Sequence, residues 1–192
     1  AMANSIAAIG AGMHIMMHAM GKITLFFCAG AIYVGAHKKS ISQMDGLAHH
    51  MPWTMGAFTI GSLCIIGIPP FGGMWSKWYL ALAAAKTDQQ IFIAVLMISS
   101  LLNVAYLLPI VARGFFSKSK GTKHDDVHNE IHGIEPQANN PTDDAVISNQ
   151  WRFGGMEEAP VPSVVAIILT TVGCAMLFFY ADAIYHFLLP LI

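Results

Sequence analysis

Charge is what this chain most lacks. Asp, Glu, Lys and Arg make up 11% of its 192 residues, against about a quarter in a soluble domain, so water is excluded as its only solvent. Neither sign prevails, with 10 basic and 11 acidic residues, and no basic surface is left over to hold nucleic acid. Cysteine is nearly absent too. Cys28, Cys64 and Cys174 each sit in an apolar run without paired spacing, which argues against a disulfide or zinc framework and predicts three buried free thiols. The first ten residues, AMANSIAAIG, lack both an initiator Met and the basic region of a signal peptide; the chain reads as a portion of a longer protein. Nothing in the sequence calls for a cofactor.

What is present is hydrocarbon. Hydrophobic residues reach 55%, and the mean hydropathy is +0.56. The charges are segregated: 12 of them fall between Lys118 and Glu158, whereas 51–76, 89–112 and 159–181 carry none. Each of those stretches suffices for a bilayer-crossing helix of roughly 20 residues. Membrane-barrel strands would alternate apolar and polar residues over about ten positions, and these runs are continuous. The expected fold is an all-α integral membrane bundle.

Five hydrophobic units follow one another. The first spans about Gly12 to Ala36, and a polar connection, His37–His50, follows it. The second runs from Pro52 to about Ile68 and is interrupted by Pro69, Pro70, Gly72 and Gly73. Two prolines remove two backbone donors and force the preceding residue out of the helical region, so the chain turns there or continues as a broken helix. The third unit, about Met74–Ala85, is short for a span. The fourth covers Ile91–Ala112, a hydrophilic segment fills 116–160, and a final span occupies about Val161–Leu189. The expected division is thus 1–115 as transmembrane helices, 116–160 as a loop and 161–192 as a last span. If each unit crosses the membrane, His37–His50, Lys86–Gln90 and the C-terminus share one side. The Pro69–Gly73 break and the long segment share the other. Lys and Arg number three on the first side and five on the second, which by the positive-inside rule puts the long segment in the cytoplasm of a multi-pass inner (plasma) membrane protein.

Chemistry is expected from residues in the wrong solvent. A Lys at mid-bilayer costs roughly 2.5–3.5 kcal/mol on insertion scales, yet Lys22 and Lys77 lie within apolar units. His14, His18 and Lys22 are spaced i, i+4, i+8, drifting only about 40° per step around a helix, so they form one column. Imidazole accepts on one nitrogen while donating from the other, which suits proton hopping. The alternative is that these groups only hydrogen-bond neighbouring helices. HIMMH has the His spacing of a zinc helix but lacks the Glu base of a metalloprotease, so no metal is assigned. Lys77 follows the Pro-Pro break closely, and broken helices at membrane depth mark ion sites; equally, Trp75, Trp78 and Tyr79 make it an interfacial anchor. Ser99, Asn103 and Tyr106 share a face that orders water or serves as polar glue between helices. Asp182 falls near the interface. His124, His128 and His132 repeat every four residues in the long segment, as a metal or proton site or as a solvated face.

The runs HIMMHAMGKITLFFCAG and MDGLAHHMPWTMGAFTIGSLCIIGIPPFGGMWSKWYL resemble the later half of the antiporter-like membrane subunits. These are shared by respiratory complex I, Mrp-type sodium/proton antiporters and membrane-bound hydrogenases. The likeness covers about residues 1–115 and rests on the His-x3-His-x3-Lys column, the Gly-Ile-Pro-Pro break and the Ser-Lys after it. It implies that the first unit corresponds to the tenth of fourteen helices. Lys22 then resembles a lysine of the central hydrophilic axis, and Lys77 that of a broken twelfth helix near the proton exit. It also implies that the C-terminus and the loop before Met51 face outward. The Glu of the family's fifth helix and the Lys of its seventh would precede Ala1, so this chain alone does not complete a channel. A lysine at 77, with no long lateral helix after the last span, narrows the resemblance toward the D-type subunit of the Mrp antiporters, with complex I subunits as the alternative.

The expected function is therefore proton conduction along His14, His18, Lys22 and Lys77 in a multisubunit cation/proton antiporter, with other membrane subunits, protons and sodium as partners. A proton-pumping subunit of complex I or a hydrogenase is the second reading, and a structural scaffold the third. A membrane protease lacks any nucleophile–base pair in register.

Overall fold

In the computed structural model the described residues are 4–36, 41, 44–117, 150–153 and 156–191. Six α-helices account for most of them: α1 (Ser5–Ala36), α2 (Pro52–Ile66), α3 (Gly73–Lys86), α4 (Gln90–Phe116), α5 (Val161–Phe179) and α6 (Ala181–Leu188). The chain is an all-α membrane bundle. α1, α4 and α5 are each long and apolar enough to cross a bilayer. One addition is a small antiparallel hairpin, β1 (Gln150–Phe153) and β2 (Met156–Pro160), at the end of the hydrophilic segment.

α1 is the axis against which the rest packs. At 32 residues it is about 48 Å long. α2 and α3 run antiparallel to it, one after the other: Gly35 meets Met51, Gly21 meets Ile65, and Gly10 meets Leu80. With 15 and 14 residues, α2 and α3 are about 22 and 21 Å long, each short of the roughly 30 Å hydrocarbon core. Stacked end to end, they make one interrupted span.

Two expectations change in consequence. The second and third units are two halves of a single crossing, and the Pro69–Gly73 break sits mid-bundle between them rather than at a membrane surface. Continuous packing on α1 is the reason, since it buries both halves against one partner. The connection before Met51 therefore leaves the bundle at the same end as the long segment. The Gly46 amide donates to the Arg113 carbonyl at 3.2 Å at that end, and Ala159 packs against Gly35 there. The C-terminus lies at the opposite end, so it does not share a side with the loop before Met51.

α5 completes the packed layer on α1: Gly173 meets Met20, and Leu177 meets Gly72. α5 bends at Tyr180 into α6, whose Ala181 and Ile184 pack with Ile9, Met13 and Met17. Cys28, Cys64 and Cys174 are all buried and free, as expected. α4 is the outlier. It buries only Leu107 and Gly114 fully, and Met97 and Leu101 are each 68% exposed.

At its far end α2 is capped from outside. Trp53 and Thr54 open the helix behind Pro52, whose ring brings no N–H to satisfy. Glu158 of β2, only 3% exposed, accepts from the Trp53 amide through Oε1 and from the Thr54 hydroxyl through Oε2, each at 2.8 Å. An acidic group at a helix N-terminus also complements the positive end of the macrodipole.

Candidate functional site

The interruption between α2 and α3 exposes backbone groups that no helix satisfies, since the last four carbonyls of α2 have no intrahelical partner. Gly67 closes α2 in the left-handed conformation at φ 82°, which glycine adopts without a Cβ penalty. Gly73 opens α3 pressed against the Cys64 carbonyl, so closely that a Cβ at 73 would collide with it. The chain therefore breaks and restarts within a few residues while both helical halves stay packed along α1.

Lys77, one turn into α3, reaches back across this gap. Its ammonium donates to the Ile65 carbonyl at 3.1 Å, to the Ile66 carbonyl at 2.7 Å and to Ser100 Oγ of α4 at 2.9 Å. All three N–H donors of the side chain are thus used. A cation at a helix C-terminus also lies at the negative end of the dipole. Lys77 thus lies against the C-terminal end of α2 at the break. Of the aromatic neighbours, Trp78 is 59% exposed, Trp75 packs on Phe178 and Tyr79 stacks on Tyr185.

Ser76, beside Lys77 in sequence, faces α1. Its buried hydroxyl donates to the Gly73 carbonyl at 3.1 Å and lies 3.0 Å from His14 Nδ1. When the hydroxyl proton goes to Gly73, Nδ1 must carry the hydrogen of this contact, and in a neutral ring the lone pair is then on Nε2. His18 stacks on His14 with ring centroids 5.3 Å apart.

The column is thus only partly gathered. His14 and His18 join the polar layer at the break, whereas Lys22 is exposed. Drift explains the difference. Turning about 40° at each step, the column starts at His14 against α3, passes the edge at His18 and leaves the packed face at Lys22.

On α4 the sequence reading misses by one residue. Ser99 is exposed, and the Tyr106 hydroxyl donates to Asn103 Oδ1 at 2.8 Å, away from the packed face. Ser100 instead faces Lys77. It belongs to the stripe Leu96, Ser100, Val104, Leu107, Val111 and Gly114, whose three- and four-residue spacing is the signal that marks it. Asp182 is exposed and pairs with His186 at 3.7 Å. His124, His128 and His132 lie outside the described residues.

Comparison with known proteins gives the family. A family model described as "NADH:quinone oxidoreductase/Mrp antiporter, TM" matches residues 1–103. The chain is similar to the NADH-quinone oxidoreductase N subunit of Desulforudis audaxviator, at 39% identity over 115 residues, 60% of this chain and 23% of that protein. It is similar to the NADH-quinone oxidoreductase L subunit of Rickettsia conorii, at 35% identity over 141 residues, 73% of this chain and 21% of that protein. It is also similar to the Na(+)/H(+) antiporter D subunit of Alkalihalophilus pseudofirmus, at 32% identity over 118 residues, 62% of this chain and 24% of that protein. The chain spans about a quarter of the length of these relatives.

Proposed function

We infer that this chain, which belongs to the NADH:quinone oxidoreductase/Mrp antiporter transmembrane family, carries one half of a proton path through a multisubunit membrane ion translocator. The observation that supports this most is the polar layer at the helix break. His18, His14, Ser76, Lys77 and Ser100 link α1, α3 and α4 at the level where α2 ends. The neutral His14 ring offers Nε2 to an incoming proton, and Lys77 holds one already.

Charge moves by repulsion between neighbours. Two like charges separated by protein interact more strongly than in water, so a proton arriving at the His14–His18 pair raises the free energy of the ammonium at Lys77. Release from Lys77 in turn makes the imidazoles easier to protonate. Lys22 is the next group along the column, turned toward the face that this chain leaves uncovered. Covering it is a role for the parts of the relatives that lie outside the matched quarter. The bare apolar surface of α4 likewise suits other membrane-embedded helices.

The end of the bundle carrying the α1–α2 connection and the long segment is placed in the cytoplasm. Lys38, Lys39, Arg113, Lys118, Lys120, Lys123 and Arg152 belong in sequence to that end, against Lys86 at the other, and the positive-inside rule favours the richer side. Two assemblies suit the chain. Lys77 and the sequence pattern point to a cation/proton antiporter with sodium as coupled ion. The higher identities to the N and L subunits of NADH-quinone oxidoreductases favour a proton-pumping oxidoreductase, in which the chain would serve a translocase without itself holding the redox chemistry.

The test is Lys22→Ala and Lys77→Ala in the membrane assembly that contains this chain, with proton flux measured in inverted vesicles. Loss of flux with normal assembly is expected for both. Normal flux in both defeats the proton path, and loss of assembly before flux makes the chain a scaffold. Dependence of the flux on sodium or on a quinone reductant separates the two assemblies.

A further inference from the structure

The three acceptors around the Lys77 ammonium are chemically unequal. The carbonyls of Ile65 and Ile66 only accept, whereas the Ser100 hydroxyl both accepts and donates. As an ammonium, Lys77 offers three hydrogens and all three oxygens take one. As a neutral amine it offers two, with a lone pair in the third direction. The two carbonyls still take the two hydrogens. The lone pair then needs a donor, and of the three partners only Ser100 can supply one. Its oxygen has no second hydrogen-bond partner among the described residues, so the O–H is free to turn about Cβ–Oγ.

The remaining titratable groups facing Lys77 are His14 and His18 on α1 and Cys64 on α2. No carboxylate among the described residues pairs with it. The ammonium is held by neutral dipoles alone, and a small rotation at one of them suits the site to either protonation state.

We propose that Ser100 is the positioning residue that lets Lys77 give up and regain its proton, accepting from the ammonium and donating to the amine. In the step, one proton passes from Nζ to a water molecule and the nitrogen keeps the electron pair. The Ser100 hydroxyl then turns its hydrogen onto that pair, and the reverse rotation accompanies reloading. The proposal rests on the proton-path reading above.

Ser100→Ala and Ser100→Thr, measured for proton flux in the same membrane assembly, provide the test. Loss of the hydroxyl in Ser100→Ala is expected to slow flux at least about tenfold, the equivalent of one lost hydrogen bond to a charged group. Ser100→Thr keeps the hydroxyl and is expected to stay within about twofold. Assembled amounts should be unchanged in both. If Ser100 serves only as a small residue in the α4 packing stripe, the order reverses, with Ala tolerated and Thr impaired, and the proposal is overturned. Normal flux in Ser100→Ala, or equal loss in both variants, overturns it as well. Lys77→Ala measured alongside separates the two levels. Normal flux there removes the proton path itself; lost flux there beside a normal Ser100→Ala removes only the role of the serine.

Discussion

Replacing Glu158 with Ala should loosen α2 from the end opposite Lys77. The carboxylate receives two hydrogen bonds at 2.8 Å, from the Trp53 amide and the Thr54 hydroxyl, at a position only 3% exposed. Losing a helix N-cap to Ala costs about 0.5–2 kcal/mol, and a hydrogen bond to a charged group is worth about 1.5–3 kcal/mol. The contributions overlap, because the same two donors are counted in each, so the combined loss is about 2–4 kcal/mol. Glu158→Gln keeps one acceptor oxygen, loses the charge at the helix end, and should cost roughly half as much. A denaturant titration of the detergent-solubilised assembly reads these differences as shifts in midpoint at constant slope. Thr54→Val supplies the control: in that background Glu158→Ala should cost less, because one of the two donors is already gone. An Ala variant within about 0.5 kcal/mol of the parent, or a cost unchanged by Thr54→Val, would refute the cap.

Two further outcomes follow from the site. Gly73→Ala drives a Cβ into the Cys64 carbonyl, a backbone group that cannot rotate away. A destabilisation of about 1–3 kcal/mol or more is expected, visible as reduced assembly in membranes; an unchanged yield and melting curve would contradict the close approach. Ser76→Ala removes the hydroxyl that fixes the His14 ring without touching Lys77. Proton flux should fall several-fold while Ser76→Thr restores most of it, and equal flux in both variants would show that the ring needs no anchor.

Much of the bundle was legible in the sequence because hydrocarbon leaves few choices. A run of apolar residues with no charge must satisfy its backbone internally, and a helix does so. The break was legible for the same reason in reverse: Pro69 and Pro70 bring no backbone donors to continue a helix, and Gly72 weakens one. Whether the chain turned back or carried on was not legible. That depends on which surface α3 finds, and α1 is long enough to offer both halves the same one. His14, His18 and Lys77 were found as polar groups in the wrong solvent, but a drift of about 40° per step, small across one interval, carries Lys22 off the packed face over two. Ser100 and Ser99 differ by only about 100° around α4, and only the spacing of the whole stripe from Leu96 to Gly114, not the residues beside them, separates the two. Glu158 was out of reach altogether. It lies in a charged stretch that reads as solvated, and its burial comes from a helix start 104 residues earlier.

The length of α1 also has an electrical meaning. A helix of 32 residues is longer than the 40–45 Å of a bilayer with its headgroups, and Lys22 stands almost midway between Ser5 and Ala36. A full crossing by one charge is worth about 2.3 kcal/mol per 100 mV, so on the proposed proton path a proton at Lys22 would have traversed about half the voltage drop, or roughly 1 kcal/mol per 100 mV. Occupancy of that lysine should then follow the membrane potential with about half the steepness of an ion crossing completely. His14, nearer one end of the same helix, should feel distinctly less, or distinctly more, depending on which surface supplies the proton.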